Sequence, residues 1–192
     1  MDEHVDEPIN EADLVESYIA ELSESRVLKE EELGSIREAK QQGGKIEEQF
    51  ADDHQTDSSN IRAQIGKMTI PEKIKLALFG NGACRGLLAI DPNRVVHMAV
   101  MKNPKIRPPE LEELAKNPNC PEGVLRAIAG NPLWMKNYKT KVNLVINPKT
   151  PSDISLKWLR YLNTDDLKRI ARSKNLPQLV AVTAKKKLSE EQ

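Results

Sequence analysis

The chain has 192 residues, 39% of them hydrophobic and 30% charged, which fits one folded domain with an extension. Its formal net charge is zero, but residues 1–60 hold 18 acidic and five basic residues, a net of −13, and residues 61–192 hold 11 acidic and 24 basic residues, a net of +13. The first residues lack the pattern of a secretion signal and no apolar run approaches the roughly 20 residues that span a bilayer. We therefore expect a cytoplasmic protein that does not enter a membrane.

Residues 1–41 are predicted to form an acidic, partly helical extension. Apolar residues recur there at intervals of three and four positions, which is the spacing of one helix face. The candidate partner-binding residues of this face are Leu14, Tyr18, Ile19 and Leu22. Three interpretations stay open: a recognition helix that folds into the groove of a partner, a helical hairpin that docks on the domain that follows, or a partly ordered tail.

A flexible linker is predicted over residues 42–66, because the stretch 42–60 is rich in Gly, Asp and Ser. It is followed by a basic domain over residues 67–192. The opposite charges of the extension and the domain are typical of an acidic tail beside a basic binding domain. The extension could then recruit a second partner, or it could fold over the basic domain and inhibit it.

An Asn-Pro dipeptide recurs through the basic domain. The copies are Asn103-Pro104, Asn117-Pro118, Asn131-Pro132 and Asn147-Pro148, with Asp91-Pro92 as a looser copy upstream. The four Asn-Pro prolines are separated by 14, 14 and 16 positions, and such regular spacing indicates a repeat array. Proline disfavours helical backbone at the residue before it, so each copy is expected to end a helix.

Between these motifs the apolar residues again have helical spacing, which predicts an all-α domain. The predicted helices cover residues 70–79, 82–90, 93–102, 109–116, 121–130, 133–146, 151–162, 164–173 and 177–189. Most are shorter than the roughly 12–15 residues at which an isolated helix becomes marginal. They are therefore expected to persist by stacking on their neighbours, as in a solenoid.

Residues 99–118 read AVMKNPKIRPPELEELAKNP, and residues 117–132 read NPNCPEGVLRAIAGNP. This pattern resembles the leucine-rich repeat variant, a bacterial α-helical repeat related in shape to HEAT repeats, over about residues 91–151. The resemblance implies a right-handed solenoid of short helices that binds other molecules. The family's founding member also carries an iron–sulfur module with a cysteine cluster, which this chain, with only Cys84 and Cys120, does not share.

Two groups of basic residues are the candidate binding surface of this domain. Their members are Lys136, Lys139 and Lys141 in the first group and Lys157, Arg160, Lys168, Arg169 and Arg172 in the second. Such residues attract phosphates or acidic protein segments, although a solvated face with cations near helix C-termini gives the same pattern. The aromatic residues among them, at positions 134, 138, 158 and 161, are either core residues at helical spacing or a platform that stacks nucleic-acid bases.

No residue pattern in the sequence nominates a catalytic, metal-binding or cofactor-binding site. His97 lies among apolar residues with no nucleophile beside it, and Asp165-Asp166 fits the acidic first turn of a helix. We therefore expect a non-enzymatic scaffold or adaptor that presents a basic surface to a protein partner. Nucleic-acid binding by the same surface is the alternative, and the sequence leaves the oligomeric state open.

Overall fold

The computed structural model describes residues 11–24, 33, 34, 37 and 58–190. These residues are helical or irregular, and none of them lies in a strand, which confirms the all-α prediction. The α-helices are α1 (Glu11–Glu24), α2 (Ser58–Lys67), α3 (Ile70–Phe79), α4 (Gly82–Leu88), α5 (Arg94–Val100), α6 (Pro108–Lys116), α7 (Glu122–Gly130), α8 (Tyr138–Ile146), α9 (Ser152–Leu159), α10 (Thr164–Arg172) and α11 (Gln178–Glu190), with a 3-10 helix at Trp134–Lys136 between α7 and α8.

Helices two positions apart in the chain pack against each other. In one row α2 contacts α4, α4 contacts α6 and α6 contacts α8, and in the other row α3 contacts α5 and α5 contacts α7. Most consecutive helices from α3 onward also touch. Helices of seven to ten residues cannot persist alone in water, so this packing between the rows supplies most of their stability.

The Asn-Pro motifs have one local geometry. In every copy the side-chain oxygen of the residue before proline accepts a hydrogen bond from the backbone N–H two positions on, an Asx turn. The bonds are Asn93 N to Asp91 Oδ1 (2.8 Å), Lys105 N to Asn103 Oδ1 (2.8 Å), Asn119 N to Asn117 Oδ1 (2.8 Å), Leu133 N to Asn131 Oδ1 (2.9 Å) and Lys149 N to Asn147 Oδ1 (2.9 Å). Asp and Asn serve equally because both present a short acceptor, so the looser Asp91-Pro92 copy is a full structural member of the series.

Two of these asparagines also tie separate helices together. Asn103 is buried and donates through Nδ2 to the carbonyl of Ala77 in α3, at 2.9 Å. Asn147 is buried and donates to the carbonyls of Ala115 (2.7 Å) and Asn117 (2.9 Å) at the end of α6. Because these carbonyls lie at or near the last turn of a helix, where backbone acceptors lack helical partners, each asparagine satisfies groups that burial would otherwise leave unpaired.

The predicted helix over residues 133–146 is wrong as a single element. Asn137 has extended backbone, with φ −70° and ψ 123°, and separates the 3-10 helix from α8. Its Oδ1 accepts from Lys139 N at 2.9 Å, and its Nδ2 donates to Glu112 at 2.5 Å. Asn137 thus forms the same Asx turn as the repeat motifs without a following proline, which is why the sequence pattern did not signal the break.

The predicted linker over residues 42–66 is wrong from Ser58 onward, because α2 begins there. Ile61 and Ile65 lie one helical turn apart and are both buried in the core of the repeat domain. The polar residues that precede Ile61 masked this short apolar face. Residues 42–57 of the predicted linker lie outside the described residues.

The buried apolar residues form two clusters. The larger one runs from α1 to the start of α9, and the smaller one joins α8 to α11 through residues such as Val145, Leu167 and Val180. Trp158, on α9, packs against both clusters. The chain from α8 onward is therefore a second packing unit, joined to the first at α8 and α9.

Candidate partner-binding surface

The charge of the domain is concentrated in its second half. Residues 133–190 contain 13 Lys and Arg against four Asp and Glu, a net of +9. Residues 61–132 contain 11 basic and six acidic residues, a net of +5. An excess of one sign over a short stretch raises the local potential and attracts groups of the opposite sign.

The basic residues of the second half differ in whether they form an ion pair. In the second half Lys168 pairs with Asp165 (3.5 Å), Arg169 pairs with Asp166 (3.0 Å) and Lys186 pairs with Glu190 (3.8 Å). Nine other basic residues there form no ion pair with any residue that the structure describes: Lys136, Lys139, Lys141, Lys149, Lys157, Arg160, Arg172, Lys174 and Lys185. No described acidic side chain neutralises their charges.

Four side chains of α8, α9 and the turn after α9 form the densest part of this surface, which we call the Trp158 cluster: Lys141, Lys157, Trp158 and Tyr161. The rings of Trp158 and Tyr161 lie with centroids 5.5 Å apart at an angle of 46°. Lys141 Nζ lies 6.0 Å from the Trp158 centroid and 5.9 Å from that of Tyr161, and Lys157 Nζ lies 5.2 Å from the Trp158 centroid. These distances are within the range of a cation–π contact.

The local packing explains why these groups meet. On α8, Val142 and Val145 face the smaller core, which leaves Lys141 at the edge of that face. On α9, Ile154 and Leu159 are buried and Trp158 is half-buried between the two cores, so its ring is fixed in place. Tyr161 is 56% exposed. The cluster thus combines one anchored and one exposed ring with two cations.

The sequence left open whether the four aromatic residues are core or surface, and the structure divides them. Trp134 and Trp158 are half-buried against the core, and Tyr138 and Tyr161 are exposed. The interpretation that Trp134 and Tyr138 share one apolar helix stripe is wrong, because Asn137 ends the 3-10 helix between them.

Tyr138 instead has a positioning role at the junction of α8 and α10. Its hydroxyl donates to Asp166 Oδ2 at 2.6 Å and accepts from Asn163 N at 3.1 Å. Burial, together with the hydrogen bond to Asp166, raises the pKa of Tyr138. Asp166 also accepts from Arg169 at 3.0 Å, so part of the charge of Arg169 is used inside the fold.

The remaining predicted basic residues do not join the Trp158 cluster. Arg169 and Arg172 line a separate cleft of about 400 Å³ with Ile146 and Leu176. Lys136 and Lys139 are exposed on either side of Asn137, and Lys168 is exposed beside Asp165. Arg160 is exposed between Trp158 and Tyr161 in sequence, and its carbonyl accepts a hydrogen bond from Lys187 at 2.5 Å.

The candidate residues of the N-terminal helix have a different place. Tyr18, Ile19 and Leu22 are buried in the larger core, and the Tyr18 hydroxyl donates to the carbonyl of Val95 at 2.6 Å. In this structure they are core residues and are not exposed to a partner, which corresponds to the docked interpretation. Leu14 lies in α1, but its side chain is outside the described part of the chain.

The groups expected to have no catalytic or metal role are placed as follows. His97 is buried on α5 and its Nδ1 lies 2.9 Å from the carbonyl oxygen of Asp91, so the ring is held by the fold. Cys84 and Cys120 are buried and are not joined in a disulfide, and burial raises the pKa of Cys120 to about 12. A search of the described residues finds no group of three or more His, Cys, Asp or Glu side chains placed to hold a metal ion.

The described helices include none with the length and apolarity that crossing a membrane requires.

In comparisons with known proteins, no family model, no curated protein and no solved structure matches this chain. The resemblance to the leucine-rich repeat variant therefore stays a prediction.

Proposed function

We propose that this chain is a non-enzymatic scaffold, a right-handed HEAT-like solenoid of short helices that binds an acidic segment of a partner protein. The packing of helices two positions apart and the recurring Asx turns support a repeat architecture. The direction of the superhelical turn comes from the resemblance of residues 91–151 alone. Scaffolds of this kind present one extended surface to a partner.

The observation that carries the proposed function is the Trp158 cluster within a surface of unpaired cations. An acidic segment would exchange its water for the ammonium groups of Lys141 and Lys157, and its apolar atoms would lie against the exposed ring of Tyr161. Because the rings are rigid, they can bury area with little loss of side-chain freedom, and the apolar stems of the lysines add to the contact. The cations would raise the association rate with a partner of opposite charge and the selectivity for it.

Single-stranded nucleic acid is the alternative ligand, because aromatic rings beside cations are the chemistry of such sites. The geometry favours it less. Bases bind by stacking on open ring faces, whereas here Lys141 and Lys157 lie within cation–π distance of the Trp158 ring, and Lys141 also lies within that distance of Tyr161. Stacking would have to displace those contacts, whereas a carboxylate would use them.

The test compares two anionic probes on the full chain by fluorescence anisotropy: a labelled poly-glutamate peptide and a labelled oligo-thymidine strand, each in a salt series. The variant is Lys141→Glu with Lys157→Glu. The matched control is Lys67→Glu with Lys105→Glu, which makes the same change in net charge at two exposed lysines of the first half.

We expect the cluster variant to weaken peptide binding by about tenfold or more and the control variant to change it by less than about twofold. Equal losses in the two variants would mean that only net charge matters, and the proposed site would be wrong. If the oligonucleotide binds more tightly than the peptide, with a steep salt dependence that the cluster variant removes, the nucleic-acid alternative replaces the protein partner.

We further propose that the acidic N-terminal extension competes with the partner for this surface. Removal of residues 1–60 would be a poor test, because Tyr18, Ile19 and Leu22 belong to the core. The better variant replaces Glu47, Glu48, Asp52, Asp53 and Asp57 by the corresponding amides. Peptide binding should tighten, most strongly at low salt, where an acidic extension competes best, and unchanged affinity would reject the competition.

A further inference from the structure

The contact between α1 and the repeat domain has the form of a bound helical ligand. α1 packs on α3, and residues 25–57 separate it from α2 in the chain. Its Tyr18, Ile19 and Leu22, which are 3%, 1% and 6% exposed, join the larger core. The other side chains of α1 that the structure describes are exposed. One face of a tethered helix therefore carries most of the contact.

Two polar contacts fix the position of α1 on the domain. The Tyr18 hydroxyl donates to the carbonyl of Val95 on α5 at 2.6 Å. Glu21 forms a 2.8 Å ion pair with Lys102, which follows α5. We call the receiving surface the α1 site: the exposed face of α3 beneath α1, the carbonyl of Val95 and Lys102. This site selects a helix that carries a hydrogen-bond donor, aliphatic side chains and a carboxylate at fixed spacings.

The packing beneath the α1 site continues without α1. α3 packs on α5, and α5 packs on α7, so departure of α1 would leave these contacts in place. Leu33 is buried in the same core and Arg37 lies 4.0 Å from Glu16 of α1, so these residues would leave with it. An element that contributes few buried side chains opens at a lower free energy than the whole fold. α1 can therefore leave a site that stays formed.

We infer that the α1 site binds an acidic amphipathic helix of a partner protein and that α1 is its tethered competitor. The partner's helix would carry the side chains that α1 presents, with an acidic residue three positions after a tyrosine and aliphatic residues one and four positions after it. α1 from a second copy of this chain is the weaker candidate, because it offers identical contacts and has to displace an α1 that the tether keeps at high local concentration. The α1 site is separate from the Trp158 cluster, so this inference and the proposed function can fail independently.

The first test measures binding in trans to the full chain. The probe is a labelled peptide with the sequence of residues 11–24, followed by fluorescence anisotropy. The opened variant is Ile19→Asp, which places a charge on the buried face of α1 in the chain. The matched control is Ala20→Asp, which adds the same charge at the adjacent, exposed position. Circular dichroism melting curves check that both variants are folded.

We expect Ile19→Asp to bind the peptide saturably and at least about tenfold more tightly than the wild type or Ala20→Asp, because only this variant frees the site. Equal binding by the three chains, or no binding by any of them, would overturn the inference. Loss of cooperative unfolding in Ile19→Asp would also overturn it, since α1 would then be a required part of the core.

A charge reversal shows where the peptide binds. In the Ile19→Asp chain, Lys102→Glu should weaken peptide binding by about threefold or more, and a peptide with Glu21→Lys should restore it. A peptide that binds the Lys102→Glu chain unchanged binds elsewhere, which overturns the inference. A wild-type dimer in sedimentation equilibrium that Ile19→Asp dissociates would show that a second copy supplies the helix, and the partner would then be wrong.

Discussion

The two halves of the basic domain use charge in different ways. In residues 61–132 the charged side chains are largely bound within the fold: Lys73 pairs with Asp91 at 2.9 Å, and Arg85 pairs with Glu110 at 2.7 Å. In residues 133–190 most cations have no acidic partner among the described residues, and two of them lie over aromatic rings. Positive charge thus stabilises the architecture in the first half and remains available for binding in the second.

The buried pair makes the contrast clear. Arg85 is 3% exposed, and it donates to both carboxylate oxygens of Glu110 and to the carbonyl of Gly80. A cation this deeply buried is tolerated only when its hydrogen bonds are satisfied. The exposed Lys157 needs no such partner, so its position beside Trp158 costs the fold little.

The largest expected effect comes from breaking that pair. Glu110→Ala leaves the guanidinium of Arg85 buried without its carboxylate and should lower the free energy of unfolding by about 3–5 kcal/mol. Urea denaturation followed by circular dichroism measures the change. The control is Asp165→Ala, which removes an exposed carboxylate and should cost less than about 1 kcal/mol. Similar losses in the two variants would contradict the structural role of charge in the first half.

The second prediction compares two asparagines of the same motif. Asn147→Ala removes hydrogen bonds to the buried carbonyls of α6 as well as an Asx turn, and should cost about 2–4 kcal/mol. Asn117→Ala removes an exposed Asx turn only and should cost about 1 kcal/mol, like the loss of a helix cap. Thermal or urea unfolding of both variants checks the difference. A larger loss of stability in Asn117→Ala than in Asn147→Ala would contradict this prediction, because the hydrogen bonds between helices would then not be the larger contribution of the motif.

A smaller effect is expected at the contact between α1 and the repeat domain. Tyr18→Phe keeps the ring but removes the hydrogen bond to Val95, so the free energy of unfolding should fall by about 1 kcal/mol. Hydrogen exchange of the α1 amides should rise more than that of α10. Equal changes in both helices would mean that α1 does not open separately.

The same tyrosine gives a pH test. Burial, and then the neighbouring Glu21, raise the pKa of Tyr18 above its ordinary value of about 10. The stability that Tyr18 contributes is therefore fully present below about pH 10 and is lost as the pH rises above that value, because the unfolded chain ionises first. Tyr18→Phe should show a shallower loss of stability between about pH 10 and 12 than the wild type. If stability falls with pH equally in the variant and the wild type, the Tyr18 hydroxyl is exposed to water in the folded chain and the prediction is wrong.

Much of the fold could be predicted from the sequence. The helix at residues 70–79 has the predicted bounds, and the helices after it begin and end close to prediction because proline and asparagine mark their ends. Two elements could not be predicted. The break at Asn137 has no proline to signal it and depends on Glu112, which is distant in sequence. Among its described side chains, α2 buries only Ile61 and Ile65. The core residues around them come from distant parts of the chain, so the local sequence does not signal this helix.

The candidate site was predicted only in outline. Charge and composition indicated a basic, aromatic-rich second half, but eight basic residues were proposed as one surface. The structure gathers Lys141 and Lys157 around Trp158 and Tyr161, and it ties Arg169 to Asp166. Which cations stay unpaired depends on helix packing, which the order of residues does not reveal.

The most direct test of the proposed function uses Trp158 as the reporter. In a Trp134→Phe variant, Trp158 is the remaining tryptophan, and its fluorescence is recorded during titration with poly-glutamate in a salt series. Binding at the Trp158 cluster predicts a saturable change in emission that salt abolishes and that Lys141→Glu with Lys157→Glu removes. Peptide binding that anisotropy detects while the Trp158 emission stays constant would contradict the account, since the ligand would then bind elsewhere.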